Sequence, residues 1–360
     1  MRLETEAELA EAVAGATGPL LLRGGGTRTL GHATGKVLET GGLSGVDLYE
    51  PGALTLVVRA GTPLAEVEAV LAGERQRLAF EVPDMRGLLG REGVSTIGGV
   101  VATNASGPRR VQVGACRDAC LGVRFVDGTG TVIKNGGRVM KNVTGYDLVK
   151  LFAGSRGVLG VLTEVSLKVQ ALPEAEATLV VEGLDDAAGL AALRVALGSP
   201  FDVSGAARHT GQSLIRVEGM AGSVAYRSGR LRDRIGGDVT VVEGEASAAL
   251  WRAVRDVVSL QARPGEVWRI ATLPTAAAGI AAGLGGEAVW DWGGGLVWLL
   301  LDPGRGAEVA AAVAGRGHAT LVKGQGGPVF PPEAPEVQAL VAGLKARFDP
   351  RGILNRGMMG

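Results

Sequence analysis

Short apolar runs alternate with stretches of helical spacing along the whole chain. Leu9 and Val13 fall at helical spacing within residues 4–14, and Pro19-Leu20-Leu21-Leu22 reads as a strand ending at Gly24. Strands are expected over 46–49 and 54–60, flanking the turn Glu50-Pro51-Gly52. Thr62 reads as an N-cap with Pro63 at the first helical position, opening a helix through Leu64, Val67, Val70 and Leu71 to Gly73. Strands over 121–126 and 131–134 enclose the turn Asp127-Gly128-Thr129-Gly130. A helix over 146–153 and a long β-rich strand over 158–169 complete this half, which Pro173 closes.

Beyond it, strands near 178–182, 213–218, 265–271 and 295–301 alternate with Ala-rich amphipathic helices such as 185–197 and 246–258. Such alternation suggests a sheet covered by helices. A proline-rich linker at 328–335 leads to a helix over 336–347 and the tail Phe348-Asp349-Pro350-Arg351-Gly352-Ile353-Leu354-Asn355. The expected units are therefore 1–173, 174–327 and 328–360, a length sufficient for two domains with a sizeable core.

Composition narrows the function classes. The 37 basic and 37 acidic side chains cancel, so there is no basic excess to attract nucleic acid or an acidic membrane. The 59 glycines are scattered rather than periodic, which points to many turns and close backbone approaches. The charged start Met1-Arg2-Leu3-Glu4 lacks an apolar signal core, and no run reaches the ~20 apolar residues of a membrane span. Cys116 and Cys120 lie four apart with no histidine near them, so they are expected to be reduced and to form no zinc site.

Three glycine clusters carry the chemistry. Arg23-Gly24-Gly25-Gly26-Thr27 follows a strand, so its amides can curl around phosphate oxygens with the Thr27 hydroxyl as a further donor. It lacks the Gly-Lys-Ser/Thr end of a Walker loop, and Thr29 stands where the Rossmann fingerprint needs glycine. In Ser95-Thr96-Ile97-Gly98-Gly99-Val100-Val101-Ala102-Thr103-Asn104, paired glycines open a helix-like stretch and leave amides uncovered, although such a pair also permits tight helix packing. Gly154-Ser155-Arg156-Gly157-Val158-Leu159-Gly160-Val161 lies at another strand edge, where a plain tight turn is the alternative. One long dinucleotide touching several loops accounts for all three.

These clusters, in this order, resemble the FAD-binding domain of the vanillyl-alcohol oxidase and p-cresol methylhydroxylase (PCMH) superfamily. The stretch 137–148, Trp292-Gly293-Gly294-Gly295 and the 348–355 tail narrow the resemblance to the FAD-binding E subunits of bacterial glycolate oxidases. The resemblance implies an α+β fold: a two-subdomain PCMH-type FAD-binding domain followed by an α/β cap of the FAD-linked oxidase C-terminal type. It implies that Arg23, Gly24, Gly25, Gly26 and Thr27 wrap the FAD pyrophosphate, and that Thr96, Ile97, Gly98 and Gly99 follow the diphosphate and ribityl chain. Thr103, Asn104, Ser106 and Gly107 would contact the flavin, Gly114 and Asp118 would shape that wall, and Gly157, Gly160 and Val161 would lie near the adenine half. Val113 stands where the family often has tyrosine. Thr27 stands where some members carry a flavin-linking histidine, so dissociable FAD is expected.

The activity implied is oxidation of a 2-hydroxy acid, glycolate to glyoxylate, within a complex holding a sister flavin subunit and an iron–sulfur subunit. Two cysteines are too few for this chain to ligate a cluster of its own. A cytoplasmic location, peripheral at the inner membrane through those partners, goes with it. Relatives of this kind carry a His-rich, often metal-binding cluster, whereas His32, His209 and His318 are isolated here and no metal site is expected. Arg269, Trp292, Lys323 and Asn355 remain as candidates for substrate or flavin contact. Arg269 either clamps a carboxylate or pairs with a neighbour such as Glu266, and Trp292 either packs in the core or stacks on the flavin. A non-catalytic electron-relay or assembly role, or a place as FAD subunit of a different, D-lactate-type 2-hydroxy-acid dehydrogenase, is the competing expectation.

Overall fold

A computed structural model describes residues 1–138, 145–325 and 328–359. Residues 139–144 of the 137–148 stretch therefore lie outside the described residues. The architecture is α+β, with three sheets among the described residues.

β1 (Leu20–Arg23) and β2 (Lys36–Glu39) form a parallel pair at the base of the first glycine loop. The second sheet holds β3 (Val46–Glu50), β4 (Thr55–Arg59), β5 (Gln76–Leu78), β6 (Cys120–Val126), β7 (Val132–Gly136) and β8 (Val161–Ala171). Its order is β3-β4-β8-β6-β7, with β5 paired to the end of β8. β8 is the central strand, with β4 and β6 antiparallel on either side, and it is buried over most of its length even though its sequence alternates apolar with polar residues. The helices Leu64–Gly73 and Ile97–Ala102 pack their apolar residues on this sheet, and Phe125 stacks on Phe152 with ring centroids 3.7 Å apart.

The chain leaves this sheet at Ala171, passes Pro173 and enters the third sheet at Ala175. That sheet contains β9 (Ala175–Val181), β10 (Val203–His209), β11 (Gln212–Gly219), β12 (Val239–Glu243), β13 (Glu266–Thr272), β14 (Glu287–Asp291), β15 (Leu296–Leu301) and β16 (Gly317–Lys323). The order is β12-β9-β11-β10-β14-β15-β13-β16, antiparallel throughout. One face is covered by helices including Asp186–Leu197 and Ala277–Leu284, and the other turns toward the first half.

Two details differ from the sequence expectation. Thr62 does not cap the following helix; Pro63 occupies the N-cap position, and the Thr62 hydroxyl accepts from Gly45 N (2.9 Å) and donates to Arg59 O (2.7 Å). β2, β10, β12, β14 and β16 carry no apolar run strong enough to announce them. β10, Val-Ser-Gly-Ala-Ala-Arg-His, is buried along its whole length because Arg208 is neutralised by Asp186 at 2.8 Å and also donates to Leu184 O.

A buried ionic cluster fastens the two halves. Arg216 on β11 donates to both oxygens of Glu81 (2.8 and 3.0 Å), while Arg109 and Arg77 reach across to Glu218 (3.1 and 2.6 Å). The tail then returns to the beginning of the chain. Leu20 N donates to Ile353 O (2.7 Å), Asn355 N donates to Leu20 O (2.9 Å), and Arg351 caps carbonyls of Ala14, Ala16 and Gly128.

Candidate cofactor and substrate site

Two adjoining cavities lie between these elements. The first is a cradle lined by residues 23–29, Thr96, Gly98, Gly99, Thr103, residues 155–157, Gly160, Val161 and Asn355. Among the described residues, the backbone N–H groups of Gly24, Gly25, Gly26 and Thr27 donate to no protein acceptor, so four adjacent amides stand ready for phosphate oxygens. Side chains cannot be accommodated there. A Cβ on Gly25 would sit 1.4 Å from Val94 O, one on Gly24 2.6 Å from Thr96 Oγ1, and one on Gly157 2.9 Å from Asn355 Nδ2. An extended diphosphate-bearing cofactor such as FAD fits this donor set.

The Ile97-Gly98-Gly99 segment behaves differently from the sequence expectation. It does form a short helix, capped by Thr96, whose Oγ1 accepts weakly from Gly99 N at 3.4 Å. However, Ile97 N donates to Thr62 O (3.0 Å) and Gly98 N to Ala60 O (2.7 Å). These amides anchor the helix on β4's end instead of remaining uncovered. Gly98 is needed for packing, since its Cβ would lie 2.7 Å from Ala60, and Ile97 is fully buried in the core.

The second cavity, about 420 Å³, continues from the first through Arg28, Thr103 and Arg156. Its floor comprises Thr103, Asn104, Ala105 and Ser106. Its opposite wall comes from the eight-stranded sheet: Arg269 and Ala271 on β13, Trp298 on β15, and His318, Thr320 and Val322 on β16, with Trp292 beside them. Strand alternation places these side chains on one face. Four lining residues hold left-handed backbone: Asn104 (φ 47°), Arg156 (φ 52°), Trp292 (φ 54°) and Asn355 (φ 44°). Strain of this kind, about 1–3 kcal/mol each, concentrates at working sites.

The walls are strongly cationic. Burial pushes the guanidinium of Arg269 down to about 10, and the like charges of Arg110 and Arg156 push the same way. Burial likewise brings Arg156 and Arg28 down to about 10, the latter opposed by Asp84 and Asp256. Arg28 Nε is buried with no partner among the described residues. His318 sits at the exposed start of β16, yet partial desolvation and the Arg269 charge lower its imidazole from the usual range, which favours the neutral form. Behind the wall, burial raises the Asp291 carboxyl to about 7, against the bond it accepts from Trp292 N (2.7 Å).

The sequence candidates divide accordingly. Arg23, Gly24, Gly25, Gly26, Thr27, Thr96, Gly98, Gly99, Gly157, Gly160, Val161 and Asn355 line the cradle; Asn104, Ser106, Arg269 and Trp292 line the second cavity, and Thr103 lines both. Arg269 does not pair with Glu266: the two point to opposite faces of β13, and Arg269 lies over the Trp292 and Trp298 rings at 5.3 and 5.9 Å. Lys323 is not in the site, because its Nζ is spent on the carbonyls of Gln261 (3.0 Å) and Arg263 (2.6 Å). Gly107 serves the wall from behind, accepting the Trp292 indole N–H at 3.0 Å. Gly114 and Asp118 line neither cavity; Asp118 Oδ2 accepts from Ala115 N at 2.8 Å and borders a separate polar surface cleft. His318, Arg110 and Arg156 are brought in by the fold; Arg156 lies within a glycine cluster and Arg110 closes the run that opens at Ser95.

Comparisons with known proteins agree with this geometry. A family model described as FAD binding domain matches residues 1–136. The glycolate oxidase subunit GlcE of Escherichia coli (strain K12) is 36% identical over 346 residues, covering 95% of this chain and 92% of the relative. The glycolate oxidase subunit GlcD of Bacillus subtilis (strain 168) is 34% identical over 176 residues, 47% of this chain and 36% of that protein. In fold, an alkyldihydroxyacetonephosphate synthase superposes with TM-score 0.69 at 15% identity, covering 99% of this chain and 76% of that one. No helix of the described residues is long and apolar enough to cross a membrane. The unengaged amides of the cradle, the FAD binding domain that contains them and a likeness running through both halves make this chain a member of the GlcE family of FAD-linked oxidoreductases.

Proposed function

We propose that this chain is the FAD-carrying subunit of a 2-hydroxy-acid oxidase complex, with glycolate, oxidised to glyoxylate, as its simplest substrate. The observation that carries this is continuity: an amide-lined cradle opens directly into a cationic cavity roofed by the second half of the chain. The functional units are 1–173 for FAD, 174–327 as cap and 328–360 as the returning tail.

Bound FAD supplies the two-electron acceptor that oxidation of an alcohol carbon requires. The chain's residues do the rest. The 23–27 loop would hold the diphosphate through its amides, with Thr96 and Gly99 beside it and Gly157, Gly160 and Val161 available to the adenine half. Thr103, Asn104 and Ser106 would face the flavin. Arg269 holds the substrate carboxylate, oriented by the indoles of Trp292 and Trp298. His318, its neutral form favoured by desolvation and by Arg269, takes the proton of the substrate hydroxyl as the carbon-bound hydrogen leaves with its electron pair for the flavin. The cofactor is non-covalent, since Thr27 offers no linking imidazole.

Named relatives are subunits of glycolate oxidases, and we infer that this chain joins a sister flavin subunit and an iron–sulfur subunit, in the cytoplasm or at the inner membrane. A relay role, in which the sister subunit performs the chemistry, is favoured by one feature: the cavity wall offers a single imidazole, and it is solvent-exposed. Acid precipitation of the yellow chain should release the flavin into solution. Anaerobic glycolate should bleach the FAD-loaded chain alone if it is catalytic; bleaching only after the sister subunit is added would establish the relay.

A further inference from the structure

The helix Pro335–Phe348 has no buried side. Its sequence is apolar without a break from Ala339 to Leu344, and its charges, Glu336, Lys345 and Arg347, are confined to the two ends. None of its 14 residues is buried, and Val337, Leu340 and Leu344 are exposed by 40, 70 and 37%. These three and Val341 join none of the core clusters, and among the described residues no strand or other helix runs along this one.

The helix is fastened at its ends instead. Ahead of it, Val329 O accepts from Leu321 N at 3.0 Å. Behind it, Phe348 meets the Phe125 and Phe152 rings at centroid distances of 6.1 and 5.3 Å, and Lys345 Nζ donates to Met359 O at 3.2 Å. A helix of this length is marginal in water by itself, and one that is apolar all round is ordinarily a buried element. Both conditions call for a macromolecule that covers residues 337–344.

Shape and charge decide which kind. A second copy laid alongside would cover one side of a rod about 21 Å long and about 10 Å wide. That is far short of the roughly 800 Å² per partner that a stable pair buries. A membrane surface favours a helix with a strongly basic polar face, whereas here acidic and basic groups stand at opposite ends of a neutral middle. An apolar groove that encloses the rod suits every side of it. Ala339, Ala342, Gly343 and Ala346 let groove walls approach the backbone closely, while Val337, Leu340 and Leu344 supply the anchors.

We propose that the helix Pro335–Phe348 docks this chain to another protein subunit of the oxidase, which receives it in an apolar groove with a basic group facing Glu336 and an acidic group facing Arg347. The proposal rests on the reading that the chain works within a heteromeric complex, and it locates the joint. The helix runs straight into the tail that closes the cradle, so the joint lies directly before the segment that completes the cofactor site.

The full chain is co-expressed with the sister flavin subunit and the iron–sulfur subunit, captured through a tag on this chain, and compared with Leu340→Glu and with the double variant Val337→Glu, Leu344→Glu. The wild type should carry a stoichiometric subunit, and hydrogen exchange of amides 339–344 should be slowed at least about tenfold relative to the isolated chain. Each variant should weaken assembly by at least about tenfold, the loss of one anchor. Melting temperature and FAD content of the isolated variants should stay at the wild-type values, because these positions are exposed. Val195→Glu, exposed on a different helix, should assemble normally. Variants that assemble like the wild type, or amides 339–344 that exchange equally fast in the complex, overturn the proposal. So does slowed exchange that needs only a higher concentration of the isolated chain, or only phosphatidylglycerol vesicles, since the cover is then a second copy or a lipid surface. A wild-type chain that binds FAD but joins neither subunit overturns the heteromeric reading itself, and the docking proposal with it.

Discussion

Asn355 Oδ1 accepts a 2.7 Å hydrogen bond from the backbone N–H of Leu22, 333 residues earlier in the chain. Its Nδ2 donates to Arg156 O at 2.8 Å, so one amide ties the tail to β1 and to the third glycine cluster at once. Asn355→Ala leaves two polar groups beside the cradle without partners, which costs about 1–3 kcal/mol for each buried group. Chemical denaturation should register that loss, and FAD titration should show weaker binding. An unaltered FAD affinity would remove Asn355 from the site.

Glycine substitutions should separate by what surrounds them. Gly25→Ala drives a methyl group into Val94 O, so the loop must be rebuilt and FAD retention should be lost. Gly229→Ala, in the helix Ala221–Ile235 with open space around it, should instead stabilise the chain by roughly 0.5–1 kcal/mol through reduced freedom of the unfolded state. Melting curves and flavin content of the two purified variants give the comparison.

Acid should weaken the joint between the two halves. Burial alone would raise the Glu81 carboxyl, but Arg216 and Arg109 overcome it and hold the group at about 2; Glu218 is held low in the same way by Arg216, Arg109 and Arg77. Because these folded values lie below the ordinary 4.5, their stabilisation is fully present above that pH and is lost as pH falls toward 2. Glu81→Gln leaves Arg216 without its nearest partner and should cost about 3–5 kcal/mol at pH 7, and its further loss between pH 7 and pH 3 should be smaller than that of the wild type because only Glu218 still titrates. Denaturation midpoints across pH 2–7 test both statements, and a wild-type stability flat over that range contradicts them.

Asp291 predicts the opposite slope. Burial lifts its folded value to about 7 from 3.8, so native stability is penalised as pH rises from the unfolded value toward 7, by roughly 1.4 kcal/mol per unit. Asp291→Asn keeps an acceptor for Trp292 N while removing the charge. It should raise the melting temperature at pH 8 and change it little at pH 4. Equal effects at both values would show that the carboxyl is ionised without penalty.

The cradle was legible because its chemistry is local. Gly24 to Thr27 are consecutive, follow a strand, and leave amides free in that conformation, so sequence order alone suffices. The long β-rich β8 and the Ala-rich helices were legible for the same reason. Of the cap wall, Arg269 and Trp292 were legible as candidates but their neighbours were not. Arg269 and His318 are far apart in sequence and meet because β13 and β16 pair in one register, with Ala271 opposite His318 and Arg269 opposite Thr320, while Arg110 comes from the first half. Lys323 and Asp118 illustrate the converse: each carries an attractive functional group already spent on neighbouring backbone that no residue spacing reveals.

The return of residues 351–355 onto residues 13–22 makes cradle assembly a late event in biosynthesis. While the ribosome is still translating the cap, the glycine loop is present but Leu22 N and Arg156 O await their amide. The cradle is therefore complete only once residues 351–355 have docked, and deleting them should yield colourless protein even though every glycine cluster is intact.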